Sequence, residues 1–316
     1  MKYVDINGKS VARIALGSTN FGGSCPAALA CELMEAYFEM GGNYIDTAHV
    51  YGDFVTPKNG ESERVIGSWL ADKPRSEIFL STKGAHHVLG SEPRVGRLSR
   101  EELKKDSSES LEALKTDYVD IYWLHRDNPA FEVGEVMENL QELLDRGVTR
   151  LIGASNWSTE RILAANKYAA AHGLTPFYAN QPQFSLAIQA VSEDYSLVSA
   201  DRAMLKMHTD TQMLMTPFSS QAKGFFTKLD TLGSEGLSEK ARTRFYTSEN
   251  LAIYGRLKQV SLRTGHSVGA LALAWLTAQP FPLIPLAGAS RVEQLEVIRE
   301  AGDIELDAAA RDFIRQ

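Results

Sequence analysis

Residues 41–52 read Gly41-Gly42-Asn43-Tyr44-Ile45-Asp46-Thr47-Ala48-His49-Val50-Tyr51-Gly52, which sets a short apolar strand, a carboxylate and a phenol within twelve positions. The paired glycines suit the end of a preceding helix, and Asn43 to Ile45 reads as a short buried strand. The loop opening at Asp46 carries Tyr51 five residues further on. That distance lets the chain turn and face both side chains into one pocket.

Outward from this stretch, short apolar strands alternate with amphipathic helices. Upstream, residues 2–6 and 11–14 alternate as strands about Asn7-Gly8, a dipeptide that favours a tight hairpin turn, and the pair reads as an N-terminal lid. A helix from about Pro26 places Ala30, Leu33, Met34, Tyr37 and Phe38 on one face. Downstream, a helix over 61–70 leads to the strand 78–82 and Lys83, and a helix over about 99–115 leads to the strand 118–124 and His125. A helix over 132–145 carries the stripe Val133, Val136, Met137, Leu140, Leu143 and Leu144. The strand 151–154 ends at Ser155-Asn156, with Ser158 placed to cap the next helix. Strand 177–180 ends at Gln181, and strand 213–217 ends at Phe218-Ser219-Ser220. A polar excursion over 224–266 reads as an active-site loop, and the strand 282–285 precedes Gly288-Ala289-Ser290-Arg291 and a last helix. Eight β-α units imply an α/β fold: one (β/α)8 TIM barrel domain over 1–316, with an N-terminal β-hairpin and long loops at the C-terminal face. In such a barrel the chemistry lies at the strand ends, which here hold Asp46, Lys83, His125, Asn156, Gln181, Phe218 and Ser290.

Composition narrows the partners. Hydrophobic residues make up 44% of the 316 residues and charged residues 23%, so a full core is available. A net charge of -7 lacks the basic face that nucleic acid or an anionic membrane needs. Cys25 and Cys31 have neither disulfide-framework nor metal spacing, and no apolar run approaches a membrane span. A cytoplasmic protein with a small-molecule partner, as a monomer or small homo-oligomer, is the expectation. The adjacent His86 and His87, with His49, raise a metal site, but neighbouring side chains rarely point at one ion, and none is expected.

Asp46, Tyr51, Lys83 and His125 come from three neighbouring strand ends. A carboxylate beside Lys83 keeps its ammonium charged, and a charged ammonium beside Tyr51 favours the ionised phenol. Tyr51 can then exchange a proton with a carbonyl or alcohol oxygen that His125 orients. The missing element is a hydride source.

At these residues the chain resembles the aldo-keto reductase superfamily over nearly its whole length. The family's GxNxIDTAxxYG signature stands at 41–52, its strand-end lysine in Ser81-Thr82-Lys83-Gly84, and its DYVDIYxLH run at 117–125. GASNW at 153–157, NQPQFSL at 180–186, PFSSQAKG at 217–224 and IPLAGASRVEQL at 284–295 resemble its cofactor half. The resemblance implies Asp46, Tyr51, Lys83 and His125 as a catalytic tetrad with Tyr51 as proton donor. It implies that Ser155, Asn156 and Gln181 hold a nicotinamide amide, with Phe218 stacked on the ring. Ser219, Gln221 and Gly224 would approach the pyrophosphate, and Gly288 and Gln294 are further cofactor-binding residues. Ser290 and Arg291 at a helix start would take a 2′-phosphate, which favours NADP(H) over NAD(H). The chain departs from the family pattern after Glu296, where Val297-Ile298 replaces an adenine-contacting asparagine segment.

The expectation is therefore an NADP(H)-dependent oxidoreductase that reduces an aldehyde or ketone to an alcohol. His86, His87, Arg126 and Asp127 lean the substrate toward a hydroxylated, sugar-like carbonyl. Substrate contacts are expected from the loops 19–25, 52–60, 84–98, 126–131, 186–210 and 224–250. Two alternatives stand beside this one: an NADPH-binding redox-sensing regulatory subunit of the same fold, and a Schiff-base lyase using Lys83.

Overall fold

The computed structural model describes residues 1–54, 60–192 and 194–316. Residues 55–59 of the expected substrate loop 52–60, and residue 193 of the loop 186–210, lie outside the described residues. The chain opens with β1 (Tyr3–Ile6) and β2 (Lys9–Ala12), an antiparallel hairpin. It continues through β3 (Ala15–Gly17), β4 (Tyr44–Asp46), β5 (Phe79–Gly84), β6 (Val119–Leu124), β7 (Thr149–Ser155), β8 (Ala179–Gln181), β9 (Leu214–Met215) and β10 (Leu286–Ala287). These eight are parallel neighbours in chain order, and β10 returns to pair with β3. On its other side the β10 segment meets β9: Ile284 N donates to Met215 O at 2.9 Å and Leu286 N to Pro217 O at 3.0 Å. The ring is closed by hydrogen bonds, as a (β/α)8 barrel requires.

Between the strands run α1 (Ala27–Glu39), α2 (Glu61–Leu70), α3 (Arg100–Leu114), α4 (Val133–Asp145), α5 (Thr159–His172) and α6 (Arg202–Thr211). Serine side chains cap two of them, at Ser158 as expected from sequence and at Ser99 as the structure adds. Ser99 accepts from Glu102 N at the start of α3, and Ser158 from Arg161 N at the start of α5.

Alternation within each strand divides the core in two. Outward residues such as Ile45, Leu80, Tyr122, Leu124, Ile152 and Ala154 pack against the helices. Inward residues Tyr44, Phe79, Ile121, Trp123, Leu151, Ala179 and Leu214 fill the barrel. Trp123 fits because its neighbour is Gly153, where an added Cβ would sit 2.3 Å from the indole. The same inward parity, carried to the carboxyl ends of the strands, delivers Asp46, Lys83, His125, Ser155, Gln181 and Phe218. The sequence therefore spends its inward positions on apolar filling first and on functional groups last.

The hairpin forms about Asn7 and Gly8, both left-handed with φ of 52° and 79°. Ile6 and Val11 join the interior cluster, and Lys9 Nζ donates to Ile78 O at 2.7 Å and Asp120 Oδ1 at 3.1 Å. The hairpin thus plugs the end of the barrel where the strands begin. It is a floor, on the opposite side from the strand-end residues, rather than a lid over them.

The excursion over 224–266 is helical rather than a loop: it holds α7 (Phe225–Leu232), α8 (Glu239–Phe245) and α9 (Ser248–Thr264). Its polar composition hides apolar stripes that bury Phe225, Phe226 and Leu229, then Ala241 and Phe245, then Ile253, Leu257 and Val260. Three further helices, α10 (Val268–Thr277), α11 (Leu295–Asp303) and α12 (Ala308–Arg315), complete the outer layer. No helix among the described residues is long and apolar enough to cross a membrane.

The Glu63 carboxylate sits in the outer layer with no counter-ion among the described residues. Glu63 on α2 is fully buried; Thr82 Oγ1 donates to its Oε1, and its Oε2 has no partner among the described residues. Burial, opposed by the Thr82 bond and the charge of His49, pushes its pKa up to about 7. The folded chain therefore binds a proton that the unfolded chain releases near the ordinary value of 4.5. Stability should fall as pH rises through that window and level off above it. Glu63→Gln should melt above the wild type at about pH 8, with the gap closing toward about pH 5, where Glu63 is itself neutral. Melting curves at the two pH values check this, and a pH-independent gap would contradict it.

Candidate active site

β4 and β5 are paired so that Asp46 lies opposite Ser81. Lys83, two residues further along β5 on the same face, reaches back to Asp46: its Nζ donates to Oδ2 at 2.5 Å and to Thr47 O at 2.6 Å. Both side chains are 1% exposed. A second set of donors saturates the carboxylate, with Ser81 Oγ 2.6 Å and Gln181 Nε2 3.1 Å from Asp46 Oδ1. Burial alone works to lower the Lys83 pKa, but Asp46 and Tyr51 outweigh it and the net shift is upward. Lys83 is held as an ammonium.

The Tyr51 ring stands beside that ammonium, with Nζ 4.7 Å from its centroid. Lys83 spends two of its three N–H groups on Asp46 and Thr47, so one remains on the Tyr51 side. The loop carrying Tyr51 is pinned to β5 by its backbone. Thr47 N donates to Ser81 O at 2.9 Å and His49 N to Lys83 O at 3.0 Å. His125, at the end of β6, meets Tyr51 edge-on with ring centroids 5.7 Å apart. Burial first, then the positive charges of His86, Arg126 and Lys83, push the His125 pKa well below its ordinary value. Its imidazole is neutral and has one N–H to offer. Asp46, Tyr51, Lys83 and His125 are thus brought together.

Tyr51 and His125 open onto a cleft of about 610 Å³ at the carboxyl ends of the strands. Ser155, Asn156, Gln181, Phe218 and Ser219 line the same cleft. Ser155 Oγ donates to Gln181 O at 2.8 Å, and Asn156, held at a left-handed φ of 59°, donates from Nδ2 to His125 O at 3.1 Å. Asn156 Oδ1 also accepts from Val198 N at 3.0 Å, so this side chain ties the β7 end to the 194–200 loop. Gln221, Gly224, Gly288, Ser290, Arg291 and Gln294 are not among the residues lining the cleft and sit on two turns, over 219–224 and 288–294. Gly288 N donates to Gln221 Oε1 at 2.9 Å, which joins those turns. Ser290 N and Oγ both reach Gln294 Oε1, at 2.7 and 3.1 Å. Arg291 is exposed at the start of the turn leading into α11, and makes no ion pair among the described residues.

Other sequence candidates separate here. His86 and His87 do line the cleft, whereas His49 pairs with Glu109 on α3 at 2.9 Å. Asp127, expected to meet substrate hydroxyls beside Arg126, gives its carboxylate to Arg161 at 3.0 and 3.1 Å. Arg97, near the cleft loop, makes a two-point contact with the buried Asp106, one bond at 2.9 Å. Two residues not singled out in the sequence also serve the site: Ser81, which donates to Asp46, and Thr216, whose Oγ1 accepts from Gln181 Nε2 at 3.4 Å. Ser81 shares the inward parity of Lys83 in the quoted Ser81-Thr82-Lys83-Gly84 run, and that parity was the available signal.

The aldo/keto reductase family profile matches residues 13–315. An aryl-alcohol dehydrogenase of Pestalotiopsis microspora is 29% identical over 310 residues, 94% of this chain and 76% of that protein. Norsolorinic acid reductase of Emericella nidulans is 29% identical over 314 residues, 95% of this chain and 76% of that one. Among solved structures, the aldo-keto reductase AKR11C1 of Bacillus halodurans superposes with a TM-score of 0.75 at 23% identity, covering 100% of this chain and 95% of its own. The thermostable aldo-keto reductase Tm1743 superposes with a TM-score of 0.73 at 24% identity, covering 100% of this chain and 99% of its own.

Removing the Asp46 charge should expose how much the site depends on it. Asp46→Asn leaves a buried ammonium without its counter-charge, a change that costs about 3–5 kcal/mol. Chemical denaturation at neutral pH checks this, and a loss below about 1 kcal/mol would contradict the pairing described above.

Proposed function

The chain belongs to the aldo/keto reductase family, and from that premise we propose that it is an NADP(H)-dependent oxidoreductase that reduces an aldehyde or ketone to an alcohol. The observation that carries the reading is the buried Lys83–Asp46 pair standing against Tyr51 beside a neutral His125, at the mouth of one cleft. We read 1–316 as one catalytic domain.

Reduced nicotinamide, when bound, supplies the hydride to the carbonyl carbon. Tyr51 gives its phenolic proton to the carbonyl oxygen, which becomes the alcohol hydroxyl, and regains a proton from solvent through the open cleft. Lys83 keeps a positive charge beside the phenol as that proton leaves, and Asp46 keeps Lys83 charged. Neutral His125 donates a hydrogen bond to the same carbonyl oxygen and fixes its direction. Run backwards, the same groups oxidise an alcohol.

The donor set suits the cofactor. Ser155, Asn156 and Gln181 put hydroxyl and amide groups on the wall shared with Tyr51, where a carboxamide needs both donors and acceptors. Phe218 offers a ring face on that wall. Ser219, Gln221 and Gly224 with Gly288, Ser290, Arg291 and Gln294 form the two joined turns on which the nucleotide would lie. The exposed Arg291, free of carboxylate partners among the described residues, supports a 2′-phosphate contact and so NADP(H). An ammonium held protonated by Asp46 is a poor amine nucleophile, which counts against Schiff-base chemistry at Lys83.

Relatives named as an aryl-alcohol dehydrogenase and a norsolorinic acid reductase, together with a cleft lined by Phe54, His86, His125 and Phe218, support an aromatic carbonyl substrate. Asp127 is occupied by Arg161, which takes away one of the four groups that favoured a sugar.

Tyr51→Phe should keep its affinity for NADPH and lose most turnover, because only the proton donor is removed. Fluorescence titration and steady-state rates check this, and undiminished turnover would remove Tyr51 from the mechanism. Arg291→Ala should weaken NADPH by about 1–3 kcal/mol and leave NADH nearly unchanged. Equal losses for both cofactors would contradict the 2′-phosphate contact.

A further inference from the structure

We propose that Arg126 is the anion-recognition group of the substrate cleft, and that the natural substrate carries a carboxylate within reach of the carbonyl addressed by Tyr51 and His125. This rests on the reductase reading above and adds the substrate's charge to it.

Arg126 follows His125 directly, lines the cleft with it, and is 7% exposed. Its Nη1 donates to His125 O at 2.9 Å, and its Nε is buried with no partner. Among the described residues no carboxylate lies within ion-pair distance of it. The arginines around it are different. Arg97 holds Asp106 and Glu102, Arg161 holds Asp127 at 3.0 Å, and Arg94 holds Asp194 at 2.9 Å. The two acids best placed to neutralise Arg126 are thus committed elsewhere: Asp127, its chain neighbour, and Asp194, on the same cleft wall. A buried guanidinium without a counter-charge is expensive, and a cleft that keeps one is built for an anion brought from outside. The planar fork favours a carboxylate, which can take two of its N–H groups at once.

The surroundings respond to that charge. After burial, Arg126 is the largest influence lowering the pKa of both His86, which falls to about 3, and His87. Both imidazoles are neutral at ordinary pH, so they can donate hydrogen bonds but cannot supply a competing negative charge. Phe54, Leu89 and Phe218 complete the lining with apolar surface. A planar aldehyde or ketone bearing a carboxylate matches this combination better than a polyol, which would need acceptors for its hydroxyl protons.

The test compares para-carboxybenzaldehyde with its methyl ester, two substrates of similar shape and carbonyl reactivity, under NADPH. The wild type should favour the acid in kcat/KM by about tenfold or more. That ratio should fall to near one in Arg126→Met and be partly retained in Arg126→Lys, which keeps the charge but loses the fork. Because a ratio is read, a general loss of activity or stability in a variant does not mimic the result. In parallel, calorimetry of benzoate with the protein alone should show binding to the wild type and at least about tenfold weaker binding to Arg126→Met. An acid preference that survives in Arg126→Met, or benzoate affinity indifferent to the substitution, would overturn the proposal. If the ester is reduced with no preference for the acid, the anion site fails and the reductase stands. If neither is reduced, the reductase reading fails and the benzoate titration alone decides the anion site.

Discussion

A buried ion pair is an expensive object, and the contact between Lys83 and Asp46 is the one on which the rest of this site depends. Two charges at 1% exposure are stable only if their remaining hydrogen-bonding capacity is met. Here it is met from around the whole barrel: Thr47 from the loop after β4, Ser81 from β5 and Gln181 from β8 all contact the pair. The Ser81 and Gln181 contacts require the strand register observed, because a shift by one residue would turn either side chain outward into the helical layer. The same backbone that frames Lys83 also holds the loop carrying Tyr51. The ion pair and the phenol therefore stay in fixed relation.

The lower half of the barrel makes this possible. Tyr44, Phe79, Ile121, Trp123 and Leu151 fill the interior beneath the polar layer, and the hairpin residues Ile6 and Val11 seal it from the far end. That apolar layer lies beneath the pair and shields it from the far end. The effects that depend on exclusion of water, the neutral His125 and the buried Arg126 among them, follow from that packing.

The sequence announced much of this and hid a definable remainder. The strands were legible because each is a short apolar run that stops at a polar residue, and the inward parity of Asp46, Lys83, His125, Ser155 and Gln181 follows from counting by twos. The helices over 225–264 were not legible as helices, because Lys, Asp, Ser and Glu dilute the apolar stripes that Phe225, Leu229, Phe245 and Leu257 supply. The hairpin's pairing was readable from Asn7-Gly8, but which end of the barrel it closes is a tertiary fact, set by Lys9 meeting Asp120 across 111 positions. Charge pairing was the least visible level. Nothing in the adjacent letters Arg126-Asp127 says that the acid turns to Arg161 while the arginine is left facing the cleft.

The central claim is that this cleft binds reduced nicotinamide dinucleotide phosphate and delivers its hydride to a carbonyl. The most direct measurement is to mix purified protein with NADPH and follow the nicotinamide absorbance as an aromatic aldehyde is added. The account predicts saturable binding of NADPH, decay of its absorbance, and one equivalent of alcohol formed for each NADPH consumed. An absence of NADPH binding would contradict the cofactor half of the account, and tight binding with no consumption across aromatic aldehydes and ketones would contradict the catalytic half.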